Sequence, residues 1–220
     1  MKRIFTGVID LLLEKEPNFF SFILKEKRFE KYFEEIKNFV KVNVERKVAF
    51  QINAIKISTL TDLLKSEKEL SYSMCESLFV DVVEQIKLLE NMGYGFLSIH
   101  PDDIIFVESD KNNFSFIFLN LQDYYTVKNN SLEIDKPYSK HKYFSPNIKT
   151  ITEIPTIINY QQNIFYSLAM IVCNCLNKID SKYNYSDYKN HLDCILETKL
   201  YWALLRCLKD NSNERYCLFI

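Results

Sequence analysis

The residues best equipped for chemistry lie in one short stretch, G-Y-G-F-L-S-I-H-P-D-D-I-I-F over residues 93–106, which holds Ser98, His100, Asp102 and Asp103. A carboxylate in such a loop can take a proton from a hydroxyl group or hold a divalent cation. A further carboxylate, Asp123, follows Asn120-Leu121-Gln122. Elsewhere the chemistry thins out. His100, His141 and His191 are far apart in sequence and lack metal-ligand spacing. The six cysteines (Cys75, Cys173, Cys175, Cys194, Cys207 and Cys217) contain no C-x-x-C pair. Cys173 and Cys175 would point in different directions from a helix, so the thiols read as reduced and mostly buried. There is no G-x-S-x-G and no Cys/His nucleophile pair.

Composition bounds what can surround these groups. Of 220 residues, 47% are hydrophobic and 15% aromatic, which suits a globular chain with a sizeable core. A net charge of −1 offers no electrostatic footprint for nucleic acid or an anionic membrane. Three glycines are too few for Gly-rich phosphate loops. The wealth of Lys, Asn, Ile, Phe and Tyr is that of AT-rich genomes, as in some viruses and intracellular parasites. The apolar run in residues 1–13 is interrupted by Asp10 and too short to serve as a signal peptide or a membrane span.

The pattern of apolar residues predicts the elements that position the loop. Pro17-Asn18 separates a short apolar helix from a longer one over residues 19–40, where Phe29, Tyr32, Phe33, Ile36, Phe39 and Val40 recur at helical spacing. Residues 40–57 switch to strand character around a charged turn at Glu45-Arg46-Lys47. Thr59–Asp62 and Ser73–Glu76 read as capping boxes, each opening a helix. Behind the second, Cys75, Leu78, Phe79, Val82, Ile86 and Leu89 form one stripe, stopped by Asn91 and Gly93. Two short β runs, 104–107 and 114–119, form a hairpin. Residues 120–162 read as irregular and polar, 164–176 as a buried helix, and the last forty residues as two or three amphipathic helices, with a Tyr-rich run at 182–188.

Taken in order, these motifs resemble a eukaryotic-type protein kinase over roughly residues 40–220. Residues 47–64 look like the last N-lobe strand, the hinge and the helix after it. Residues 73–91 look like the long helix under the catalytic loop. His100-Pro101-Asp102-Asp103-Ile104 is similar to the family's Lys-Pro-Glu-Asn-Ile, and Tyr143–Asn147 to the segment ending in Ala-Pro-Glu. Tyr166-Ser167-Leu168-Ala169 resembles the Ser-Leu-Gly of the central helix. Leu204–Asp210 with Asn213-Glu214-Arg215 resembles the closing pattern, in which an Arg pairs with the Glu of Ala-Pro-Glu.

The departures from the family remove its chemistry. In this register the catalytic Asp is replaced by Ser98, and the His-Arg before it by Phe96-Leu97. The catalytic Lys becomes His100 and the metal-binding Asn becomes Asp103. The Asp-Phe-Gly metal motif falls at Asn120-Leu121-Gln122. Asn147 replaces the Glu that would pair with Arg215, and Asn163 or Ile164 replaces the Asp that pins the loop backbone. Gly7 alone precedes residue 93, so no Gly-rich loop exists. Glu34 or Glu35 could stand for the acid of the regulatory helix, or simply form a solvated face. Two other registers stay open: Asp102 as the catalytic carboxylate, and Asp123 as the relic of the metal-binding Asp.

The resemblance thus implies an α+β, protein-kinase-like fold with a mostly helical C-lobe and a truncated N-lobe of a few strands and one or two helices. The lobes would divide into residues 1–57 and 58–220. The expected function is that of an inactive pseudokinase, an interaction module, regulator or decoy, without cofactor or metal. Its partners would be proteins, such as an active kinase or a host factor, and not nucleic acid or membrane. The expected location is the cytoplasm, that of the host if the source is viral. The alternatives are a divergent phosphotransferase using Asp102 or Asp103 with Asp123, and a structural component of a larger, viral assembly.

Overall fold

The computed structural model describes residues 4–6, 9–13, 19–37, 39–67, 69–110, 113–119, 121–176 and 192–219. The chain is mixed α+β. Its strands are β1 (Ile4–Thr6), β2 (Ile9–Leu13), β3 (Phe19–Leu24), β4 (Val40–Val44), β5 (Lys47–Asn53), β6 (Lys56–Thr59), β7 (Tyr94–Gly95), β8 (Ile104–Asp110), β9 (Asn113–Phe118), β10 (Tyr125–Lys128), β11 (Ser131–Ile134) and β12 (Thr156–Asn159). Its helices are α1 (Glu30–Glu35), α2 (Leu60–Ser66), α3 (Tyr72–Asn91), α4 (Pro146–Lys149), α5 (Tyr160–Leu176) and α6 (Lys199–Cys207).

Two compact units emerge: residues 1–60 with 102–123, and residues 61–101 with 124–220. A single cut between residues 57 and 58 therefore does not describe the division, because hairpin β8–β9 pairs with β6 in the first unit.

The first unit holds an antiparallel sheet of order β1-β2-β3-β5-β4 and a second of order β6-β8-β9. The helix expected over residues 19–40 is instead β3, a 3-10 turn at Lys27–Phe29, and the short α1. The reason lies in F-F-S-F-I-L. Its aromatic and β-branched residues fit a pleated surface, and β3 is paired on both sides, to β2 and β5. Helical periodicity starts only at Phe29, and Phe29, Tyr32, Phe33 and Ile36 are buried at that spacing. The core here is aromatic: the Phe22 ring lies 5.0 Å from Phe33, 5.2 Å from Phe39 and 5.6 Å from Phe50. The Tyr32 hydroxyl donates to the Phe118 carbonyl at 2.7 Å. Glu45 and Arg46 both take positive φ, giving the tight two-residue turn of hairpin β4–β5. Lys41 of β4 pairs with Glu30 and Glu34 of α1, all at the surface, so Glu34 serves as a partner for a strand lysine.

In the second unit α3 packs on α5, and the predicted stripe from Cys75 to Leu89 is buried. The cap of α3 is Ser71, whose Oγ accepts from the Met74 amide at 3.3 Å; Ser73, the expected cap, lies inside the helix. Helix α5 is buried along nearly its whole length, as its unbroken apolar run predicts.

The irregular region expected over residues 120–162 contains a sheet of order β12-β11-β10-β7. Its signal was alternation in short runs. Tyr125 and Val127 are buried while Thr126 and Lys128 are exposed; Leu132 and Ile134 are buried while Ser131 and Glu133 are exposed. Asn129-Asn130, both with positive φ, close this hairpin. Asn130 then caps α5, its carbonyl accepting from Tyr160 N–H and its side chain from Gln161 N–H, each at 2.8 Å. Near the end, α6 is capped by Thr198 and followed by a 3-10 turn at Ser212–Glu214. Residues 177–191, with His191 and the Tyr-rich run, lie outside the described residues.

Candidate functional site

The loop singled out by its residue types begins where α3 ends. Gly93 takes φ 82, its N–H bonds Glu90 O at 2.8 Å, and its carbonyl accepts from Val127 N at 2.9 Å. Gly95 has no room for a side chain: a Cβ there would run into Val127 Cγ2 and come within 2.8 Å of Tyr160 Cε2. Phe96 and Leu97 are buried. Ile99 is held at both of its backbone groups by one side chain of α5. The Ile99 N–H donates to Ser167 Oγ at 2.9 Å, and Ser167 Oγ donates to the Ile99 carbonyl at 3.2 Å. Asn163 and Ile164, where the resemblance puts the loss of the loop-pinning Asp, do not make these bonds. Asn163 instead accepts from Ser145 Oγ and donates to the Asn159 carbonyl at 2.6 Å. Ile164 is buried.

Between Phe96-Leu97 and Ile99, Ser98 is half-buried, and its Oγ lies 2.8 Å from His141 Nε2. At first sight this is a nucleophile beside a base. The other ring nitrogen decides otherwise. His141 Nδ1 accepts from the Tyr143 N–H at 3.3 Å, so in the neutral ring the hydrogen sits on Nε2 and points at Ser98. The ring stays neutral because burial, and then His100 and Lys149 nearby, lower its pKa to about 4. Nε2 therefore has no lone pair to take the Ser98 proton, and the pair is a structural hydrogen bond. The His141 ring lies 5.3 Å from His100 and 4.3 Å from Phe144, so two histidines that are distant in sequence meet. Sequence spacing could not reveal this meeting.

At residue 102 the chain passes into the first unit. Asp102 is exposed, Asp103 is half-buried with its carbonyl accepting from Leu119 N at 2.8 Å, and Asp123 is exposed. Asn120 lies outside the described residues. Among the described residues, no group of three or more His, Cys, Asp or Glu could hold a metal ion.

A second constellation joins residues 138–151 to Arg215. The Tyr138 hydroxyl donates to the Ile148 carbonyl at 2.9 Å. Lys140 Nζ donates to the carbonyls of Lys149 and Ile151, at 2.8 and 2.9 Å, and Lys149 Nζ to that of Lys142 at 2.9 Å. Burial lowers the Lys149 pKa to about 8. Arg215 is buried, and its guanidinium is satisfied by neutral groups. It donates to the Lys209 carbonyl at 2.6 Å, the Asp210 carbonyl at 3.0 Å and Asn147 Oδ1 at 3.3 Å, and it sits 4.5 Å over the Tyr166 ring. Asn147 and Arg215, 68 positions apart, are thus joined by a hydrogen bond.

No family model matches the chain, and no curated protein matches its sequence. No helix among the described residues is long and apolar enough to cross a membrane. What the geometry provides is a loop fixed at Ile99 and a lysine-tied segment, both well suited to presenting a defined surface.

Proposed function

We propose that this chain is a catalytically inactive kinase-like protein whose work is to bind another protein, as a regulator or decoy. The observation that carries this reading is Ser98. The loop position that in the resembled family holds the proton-accepting Asp has a neutral hydroxyl, facing a histidine that is itself a donor. The backbone around it is nonetheless held in place through Ser167. A scaffold kept without its proton acceptor is what a binding role requires.

The first unit supports the same reading. Three strands, a helix and two further strands follow the order in which that family sets its phosphate-binding Lys, on the third strand, and the partner Glu, on the next helix. Here β3 carries no Lys. The strand–helix pair that does exist, Lys41 with Glu30 and Glu34, starts from β4 and is open to solvent. The partner would be a protein, an active kinase or a host factor being the natural candidates, and the setting cytoplasmic. Within residues 120–162, the half-buried Tyr124 and Tyr138 and the exposed Asn147 are suited to contact it.

Thermal unfolding with and without ATP and Mg²⁺ tests the proposal, and the expected result is an unchanged midpoint. A clear rise with ligand would mean that nucleotide binds the folded chain and would overturn the non-catalytic reading. In that case Asp102→Asn should abolish phosphoryl transfer that Ser98→Ala leaves intact, which is the signature of the divergent phosphotransferase.

A further inference from the structure

The chain after α6 turns back on itself. Arg215 binds the carbonyls of Lys209 and Asp210, which closes the turn through Ser212–Glu214 and sends residues 216–219 back over the helix. Arg206 of α6 holds that return, donating to the Leu218 carbonyl at 3.3 Å with its guanidinium 5.8 Å from the Tyr216 ring. Phe219 reaches α3, with its ring 5.8 Å from Phe79. This path brings two thiols together. Cys207, the last residue of α6, is buried and donates to the Tyr216 carbonyl at 3.7 Å; Cys217, the residue after Tyr216, is half-buried and close enough to Cys207 for each thiol to shift the other's pKa. Sequence spacing gives no hint of the pair, because ten positions separate its members.

We propose that Cys207 and Cys217 form a reversible disulfide that locks residues 216–219 onto α6. The two thiols are suited to different halves of the exchange. Cys217 and burial raise the pKa of Cys207, whereas Cys207, and then Lys87 of α3, lower that of Cys217, so the more accessible sulfur is also the one more readily ionised. Burial pushes Cys75 up to about 12 and raises Cys173 and Cys175 well above the ordinary thiol range, which leaves these three poor nucleophiles.

The oxidant is a small disulfide. The Cys217 thiolate attacks one of its sulfurs, a mixed disulfide forms, and one small thiolate leaves and takes up a proton. The Cys207 thiol, losing its proton to solvent, attacks Cys217 Sγ and expels the second small thiolate, which is protonated in turn. One small disulfide is reduced to two thiols, and the protein dithiol is oxidised to one internal disulfide.

The test uses the full reduced chain treated with oxidised glutathione and read by intact mass and a non-reducing peptide map. The expected product lacks two hydrogens and carries a 207–217 cross-link, which reductant reverses. The cross-link survives Cys194→Ser and disappears in Cys217→Ser. Amide exchange at residues 216–219 should slow in the oxidised form. Cys217 left as a stable glutathione adduct, a link to Cys194, no reaction, or unchanged exchange in the cross-linked chain would each overturn the proposal. The wild-type map is decisive by itself, so it does not depend on the variants folding.

Discussion

The two units of this protein are held together by different means. In the first, the described core holds a cluster of rings, Phe22, Phe29, Tyr32, Phe33 and Phe50, set among aliphatic side chains such as Ile52, Ile105 and Ile117, with one buried hydroxyl bond from Tyr32. In the second, the core is largely aliphatic and thiol-bearing. It also contains every buried polar or charged side chain found among the described residues: Gln85, Ser145, Asn163, Ser167 and Arg215. Apolar burial is strong but non-directional, and it tolerates rearrangement. A buried hydrogen bond stabilises less, yet it dictates where a particular backbone group must lie. Four of those polar side chains, all except Gln85, take part in bonds that hold loop or turn residues: Ile99, Ser145, Lys209 and Asp210. The second unit is therefore the one built to present loops in fixed positions.

If that contrast is right, the largest single effect belongs to the aromatic core. Phe50→Ala should cost about 3–5 kcal/mol in chemical denaturation, the range for emptying a buried ring site. Phe50 is fully buried and touches Phe22, Phe33 and Phe39. Phe50→Leu should cost much less, about 1–1.5 kcal/mol, because a non-directional core can close around it. Equal losses would mean that this cluster is as directional as the polar one.

Ser167→Ala comes next, at about 1–3 kcal/mol, because it leaves the Ile99 N–H and carbonyl unpaired in a buried place. The sharper readout is local: amide exchange at Ile99 should accelerate more than at its helical neighbours. An Ile99 amide as protected as before would show that packing alone holds the loop.

How much of this was legible in the sequence depended on how far apart the interacting residues lie. Helices α3 and α5 could be read because their apolar stripes are long and continuous. The aromatic run at 19–24 is ambiguous, because a short run of Phe and Ile fits either period, and only pairing to β2 and β5 decides it. The β10–β11 hairpin gives only a weak signal in its alternation and Asn-Asn turn, since each run has only four residues. At the candidate site, the uncharged character of Ser98 and Asn147 is readable directly. The contacts are not. Ser98 meets His141 across 43 positions and Ile99 meets Ser167 across 68, distances at which no local pattern operates.

The loop should also carry a pH signature that the aromatic unit lacks. His141 has a folded pKa lowered to about 4 from an ordinary 6.5, with burial the main cause and the neighbouring His100 and Lys149 adding to it. As pH falls below about 6.5 the unfolded chain takes up the proton first, so the stabilising contribution present at neutral pH is lost progressively down to about pH 4 and does not fall further below that. Solvent reaches part of the ring, so the loss falls short of the full shift. Denaturation at pH 7 and pH 5 should show the decline in the wild type and a smaller one in His141→Asn. An NMR midpoint for His141 near 6.5 would remove the basis for treating it as a neutral donor to Ser98.

The smallest effect tests whether the buried charge of the second unit is already satisfied. Arg215 has two carbonyls, a ring face and the Asn147 amide, the last being its longest hydrogen bond at 3.3 Å. Asn147→Glu would offer it a carboxylate, and because residue 147 is exposed the gain should be that of a surface pair, about 0.5–1 kcal/mol. Residue 147 also lies in the first turn of α4, where an acid is favoured by the helix dipole alone. A double-mutant cycle with Arg215→Lys separates the two, since a lysine cannot keep the planar fork while a dipole gain would persist unchanged. A coupling near zero would assign the gain to the helix. A coupling well above 1 kcal/mol would mean that the carbonyls of Lys209 and Asp210 leave the guanidinium under-satisfied, and that the polar bonds of this unit hold position at a real cost in stability.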